Sequence, residues 1–128
     1  MKLRIRGNSL RLRLTKEEVA RLGESGSVED SIAFGAGTDK ELLYRLETSA
    51  TGQDVLADFR NGQIIVQIPR KLVEDWATTD EVSIEATQPL DNNAKLRILV
   101  EKDFACLKPR DGEDDRDAFA HPQGNEEC

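Results

Sequence analysis

Lys2, Arg4, Arg6, Arg11 and Arg13 are the residues best placed by type and spacing to do chemistry. They alternate with apolar residues in two short runs, Lys2-Leu3-Arg4-Ile5-Arg6 and Leu10-Arg11-Leu12-Arg13-Leu14, separated by Gly7-Asn8-Ser9. Strict alternation is the mark of a half-buried strand, and the Gly-Asn-Ser step is a turn signal. The two runs therefore read as a hairpin with one apolar face and one face of five cations. A two-stranded ribbon fits a DNA major groove, and arginine grips phosphate or guanine through paired hydrogen bonds. Three roles follow from the same pattern: a nucleic-acid contact, a solvated face whose charges guard a strand edge, or a surface for an acidic protein partner. Asn8 and Ser9 at the hairpin tip could touch such a ligand, although residues of this kind more often only make the turn.

Other reactive side chains are sparse. Cys106, His121 and Cys128 occur in that order near the end of the chain, without the close ligand pairs of a zinc site. Asp111, Glu113, Asp114, Asp115 and Asp117 form an acidic run that lacks the twelve-residue calcium spacing. Gly35-Ala36-Gly37 is too short for a phosphate loop that opens a helix. With one histidine, in a polar segment, the expectation is a protein that is not an enzyme and carries no metal or cofactor.

Charge is distributed unevenly. The net charge of -7 contains a segment, residues 1–21, with seven basic and two acidic residues. Residues 22–100 hold seven basic and fourteen acidic residues, and residues 101–128 hold four basic and nine acidic ones. An acidic protein is repelled by nucleic acid at long range, so any such contact must be local to the basic strip. The acidic end of the chain reads as a disordered tail able to shield that strip. Without an apolar span or leader, a cytoplasmic location is expected.

The elements that would position these residues occur twice, about 54 residues apart. Met1, Leu3 and Ile5 correspond to Val55, Ala57 and Phe59; Leu10, Leu12 and Leu14 to Ile64, Val66 and Ile68; Val19 and Leu22 to Val73 and Trp76; Leu42 and Leu46 to Leu96 and Val100. Thr15-Lys16-Glu17-Glu18 reads as a capping box before a short helix ending near Gly23. Asn61-Gly62 is a tight hairpin signal, and Pro69 stands where a second helix begins. Strands are expected at Ser31 to Phe34, Leu42 to Glu47, Val82 to Ala86 and Leu96 to Val100. Each half is then strand, strand, helix, strand, strand, with Trp76 and Tyr44 in the core.

Two stretches carry a family resemblance. Arg6-Gly7-Asn8-Ser9-Leu10-Arg11-Leu12-Arg13-Leu14-Thr15-Lys16-Glu17 resembles the start of MazE-type antitoxins. Ile64-Ile65-Val66-Gln67-Ile68-Pro69-Arg70-Lys71-Leu72, with Asp80-Glu81-Val82-Ser83-Ile84, resembles the core of AbrB-type transition regulators. The resemblance implies a swapped-hairpin barrel, in which two half-length units interleave their hairpins, and DNA binding through basic first hairpins. This chain departs from that pattern at Thr15, where the family usually has proline, and in its second hairpin, where Asp58, Arg60, Gln63 and Gln67 stand outward. Taken whole, the chain also resembles small bacterial proteins of unknown function.

The expectation is an α+β, mainly β domain over residues 1–102, with halves 1–48 and 54–101 related by a pseudo-two-fold, and an acidic tail over 103–128. It would act as a non-enzymatic binding module: a DNA-binding regulator or antitoxin-like protein using Lys2, Arg4, Arg6, Asn8, Ser9, Arg11 and Arg13. The alternative is a protein-interaction module that does not bind DNA. The chain would be a monomeric pseudo-dimer or a homodimer, with no membrane partner.

Overall fold

In a computed structural model of the chain, which describes residues 1–104 and Phe119, eight strands and two α-helices follow one another in two ββαββ series. They are β1 (Lys2–Ile5), β2 (Ser9–Leu14), α1 (Lys16–Ser25), β3 (Ser27–Ala33), β4 (Glu41–Ser49), β5 (Leu56–Arg60), β6 (Gln63–Pro69), α2 (Arg70–Thr78), β7 (Ser83–Pro89) and β8 (Lys95–Lys102). The strands form two four-stranded sheets, ordered β1-β2-β8-β7 and β3-β4-β6-β5. Each sheet thus joins a hairpin from the first half of the chain to one from the second, through a parallel pairing at its centre.

The registers repeat with the sequence. Leu12 stands opposite Val100 and Leu46 opposite Val66, so a shift of 54 residues carries one central pair onto the other. Leu3↔Leu12 becomes Ala57↔Val66 under the same shift. Val28↔Leu46 becomes Ile84↔Val100, the step from β3 to β7 being two residues longer. Those two residues lie after the helix. α1 closes on Gly26, whose left-handed φ of 84° lets its N–H donate to the Leu22 carbonyl, and β3 starts at the next residue. α2 has no such glycine. The Thr78 and Thr79 hydroxyls donate back to the Glu74 and Asp75 carbonyls, and the chain needs residues 79–82 to reach β7.

The core is one cluster drawn from both sheets and both helices. Leu12, Leu14, Val19, Leu22, Val28 and Leu46 are buried, as are their counterparts Val66, Ile68, Val73, Trp76, Ile84 and Val100. Where Leu22 is replaced by the larger Trp76, the indole N–H finds the Val82 carbonyl at 3.1 Å, so its polar atom is not stranded. Val55 and Ile98 complete the cluster, and their counterparts Met1 and Tyr44 pack against it half-buried.

Several expectations are corrected here. Helix α1 runs past Gly23 to Ser25, because the glycine that needs a left-handed backbone is Gly26. β3 therefore begins at Ser27 and not at Ser31, and Val28 is its buried residue. Pro69 ends β6 and precedes the first helical residue, with φ -53° and ψ 137°. Ile5 and Phe59 hold corresponding positions, yet they are 61% and 65% exposed, because each stands at the far end of its strand. The expected tail lies outside the described residues from position 105, apart from Phe119, and with it Cys106, His121, Cys128 and the acidic run. Residues 103 and 104 continue directly from β8, with the Asp103 N–H donating to the Leu14 carbonyl. Among the described residues, no helix is long and apolar enough to cross a membrane.

Two polar devices bridge elements that no ladder joins. The Gln88 side chain of β7 accepts from the Ala57 N–H (2.7 Å) and donates to the Ala57 carbonyl (3.1 Å), like one rung of a strand ladder. Elsewhere, the Met1 ammonium pairs with Glu18, with Asp30 at 3.6 Å, and the Tyr44 hydroxyl donates to the Met1 carbonyl at 3.1 Å. Replacing Gln88 with Leu strands both Ala57 groups. Urea denaturation should show a loss of about 1–3 kcal/mol; an unchanged midpoint would remove Gln88 from the fold's support.

Glu18 also makes both halves of the capping box with Thr15. Burial pushes its pKa up, but the ammonium and the Thr15 hydrogen bonds outweigh this and hold it below the ordinary carboxylate value. A carboxyl depressed on folding stabilises fully above its unfolded pKa and loses that contribution as pH falls through the folded one. Denaturation curves from pH 6 to pH 3 should therefore show stability falling below about pH 4.5. In Glu18→Gln the fall should be shallower.

Candidate nucleic-acid interface

The outer face of the β1-β2-β8-β7 sheet can be read row by row, because side chains alternate and the registers are fixed. The row at the hairpin tip is Arg6, Ser9, Arg97, Thr87. The middle row is Arg4, Arg11, Leu99, Glu85, and the base row is Lys2, Arg13, Glu101, Ser83. The five expected cations do share one face. The parallel pairing adds two that belong to the other half of the chain, Lys95 and Arg97.

Charge on this face is graded from base to tip. Arg13 donates to Glu101 at 2.8 and 2.9 Å, and Lys2 lies 3.7 Å from Asp103. Arg11 reaches Glu101 only at 3.8 Å. Arg4, Arg6, Lys95 and Arg97 have no side-chain ion pair with any described residue. The base of the face is thus internally neutralised, and the cations without such a pair run from Arg4 in the middle row to Arg6, Lys95 and Arg97 at the tip.

There the surface is concave. A groove of about 1140 Å³ is lined by the β1-β2 turn, the ends of β7 and β8, and the side chains of Arg6, Arg11, Lys95 and Arg97. Its wall is held by hydrogen bonds across the turn. Arg6 and Ser9 exchange backbone bonds at 3.2 Å, and Gly7 turns the chain with φ 54°. The Ser9 hydroxyl donates to the Arg6 carbonyl at 2.6 Å, and the Asn8 amide to the Lys95 carbonyl at 2.6 Å. Arg97 N–H donates to the Asn8 carbonyl at 3.1 Å. Asn8 and Ser9 therefore build the tip and fasten it to β8, and their side chains are occupied in doing so.

The corresponding face of the other sheet differs in kind. By register its rows read Arg60, Gln63, Leu43, Ser31; Asp58, Ile65, Arg45, Glu29; and Leu56, Gln67, Glu47, Ser27. Leu43 N–H donates to the Gly62 carbonyl as Arg97 N–H does to Asn8, so the backbone is conserved between the two faces. The cations are not. Arg60 pairs with Asp58 at 3.2 Å and Arg45 with Glu29 at 2.7 Å, an ion pair that raises the arginine's pKa.

Of the residues named from sequence, Lys2 and Arg13 lie beside acidic partners, and Lys95 and Arg97, not named there, share the same face. A signal for the second pair exists: Leu96, Ile98 and Val100 point inward, so 95 and 97 must point out. Among the described residues no cluster of His, Cys, Asp and Glu could hold a metal ion.

Such a molecule is an α+β protein, mainly β, with an open cationic groove on one sheet face. The chain belongs to a family of unknown function (DUF7009), whose pattern matches residues 1–123. No curated protein and no solved structure matches it.

If the graded charge is right, Arg97→Ala should lower the salt concentration that elutes the protein from heparin. Arg13→Ala should move elution much less. Equal shifts would show that the base-row pairing does not silence Arg13.

Proposed function

We propose that the chain is a tandem duplicate of a ββαββ unit of swapped-hairpin type, acting as a non-enzymatic module that binds duplex DNA through the tip of its first hairpin. One observation carries this reading: four cations from two different hairpins, Arg6, Arg11, Lys95 and Arg97, line one groove beside a two-stranded ribbon, and all but Arg11 are without an ion-pair partner among the described residues. Guanidinium groups on a ribbon suit phosphates flanking a major groove. The duplication is supported by the register shift that carries each sheet onto the other. The resemblance to MazE- and AbrB-type proteins points the same way and suggests a regulator or antitoxin-like role.

Only one of the two equivalent faces is cationic. A single chain therefore offers one half-site, and reading a palindrome would take a second copy. Fluorescence anisotropy with a labelled duplex, between 50 and 200 mM salt, tests the proposal. About four phosphate contacts imply a log–log slope near -3 to -4. The double variant Arg6→Ala/Arg97→Ala should abolish the binding. Absence of salt-dependent binding, or binding indifferent to that variant, overturns the reading. Capture of an acidic protein in place of DNA would instead favour the protein-interaction alternative.

A further inference from the structure

Among the described residues, Glu85 is the one acidic residue lining the cationic groove. It is exposed on the outer face of β7, between the inward-facing Ile84 and Ala86. Its counterpart in the other sheet is Glu29, which stands opposite Arg45 and accepts from its Nε and Nη2 at 3.0 and 2.7 Å. Opposite Glu85 that arginine is replaced by Leu99. Glu85 therefore has no hydrogen-bond or ion-pair partner among the described residues. Arg11 is two strands away across Leu99, about 10 Å between backbones, and its side chain lies beside Glu101 instead. An unpaired carboxylate here weakens the attraction for any ligand that is uniformly anionic.

We propose that Glu85 makes the groove selective: it accepts a hydrogen bond from the cytosine N4 amino group of a duplex whose phosphates are held by Arg4, Arg6, Lys95 and Arg97. This rests on the DNA-binding reading above and deepens it. A carboxylate is matched to cytosine N4, whereas the adenine edge sets an acceptor beside its amino group. In the sheet order β1-β2-β8-β7, Glu85 lies on the edge strand next to Lys95 and Arg97 of β8, so the reading carboxylate sits one strand from cations that grip phosphate. A polyanion such as heparin carries no base amino group in fixed register with its charges, so the carboxylate adds mainly repulsion.

The test compares the full chain with Glu85→Gln on three probes: heparin, a G·C duplex and an A·T duplex of equal length. The wild-type chain should prefer the G·C duplex by roughly fivefold to a hundredfold. In Glu85→Gln that preference should vanish or turn toward A·T, since an amide pairs with adenine N6 and N7, while heparin affinity rises. Equal affinity of the wild-type chain for both duplexes overturns this inference alone. So does a Glu85→Gln change of the same factor on all three probes, which is bare charge. Failure to bind any probe overturns the DNA-binding reading together with it. Glu85 is exposed and supports nothing in the fold, so the variant will fold.

Discussion

The structure depends on two parallel strand pairings, β2 with β8 and β6 with β4. A hairpin alone in water is marginally stable, because its apolar face has nothing to cover it. Each hairpin here leaves one long strand at its inner edge, and that strand is completed by a hairpin from the other half of the chain. Parallel neighbours cannot be joined by a tight turn. β4 and β6 are joined through residues 50–55 and β5, whereas α1 and α2 carry the chain from one sheet to the other and bury Val19, Leu22, Val73 and Trp76 in the common core. Neither half can bury its own leucines and valines without the other, which is why the core is one cluster and not two.

That constraint also decides what is free to vary. The backbone path and the inward residues must agree between halves, or the central registers fail. Outward residues are under no such demand. The first face keeps arginines where the second has Ile65 and Leu43, and the second keeps the Glu29–Arg45 pair where the first has Glu85 beside Leu99. The bridging devices differ too. One seam uses the Gln88 amide on Ala57, and the Met1 region uses an ammonium with Glu18 and Asp30. Symmetry is held where packing enforces it and lost where solvent permits.

Much of this was legible in the chain because it is local. The Thr15 capping box and the Asn61-Gly62 turn, with φ of 53° and 73°, are short-range statements that tertiary structure did not override. Apolar positions such as Leu12, Leu14, Val66 and Ile68 are buried as their alternation in the chain predicts, since burial needs only period and phase. What escaped was long-range. The end of α1 was misjudged because two glycines compete for the C-cap, and only the one entering β3 needs the left-handed region. The partnership of Arg13 with Glu101 spans 88 residues, and that of Asn8 with the Lys95 carbonyl spans 87. Neither could be read without knowing that β8 lies beside β2. With β8 placed beside β2, Lys95 and Arg97 come onto the face of the hairpin cations and Glu101 comes beside Arg13.

The neutralised base row gives the cationic face a direction. Positive residues spread evenly over a sheet would hold a polyanion in any orientation. Here Glu101 and Asp103 cancel charge at one end, and Arg6, Lys95 and Arg97 leave it at the other. The field therefore draws an anion to the turn, where backbone and side-chain hydrogen bonds fasten β1-β2 to β8. A charged site anchored on paired strands keeps its guanidinium spacing when a ligand arrives, so less ordering is required at binding. The parallel pairing that closes the core is thus the same interaction that assembles the groove, since without β8 beside β2 there would be a hairpin with charges but no concave wall.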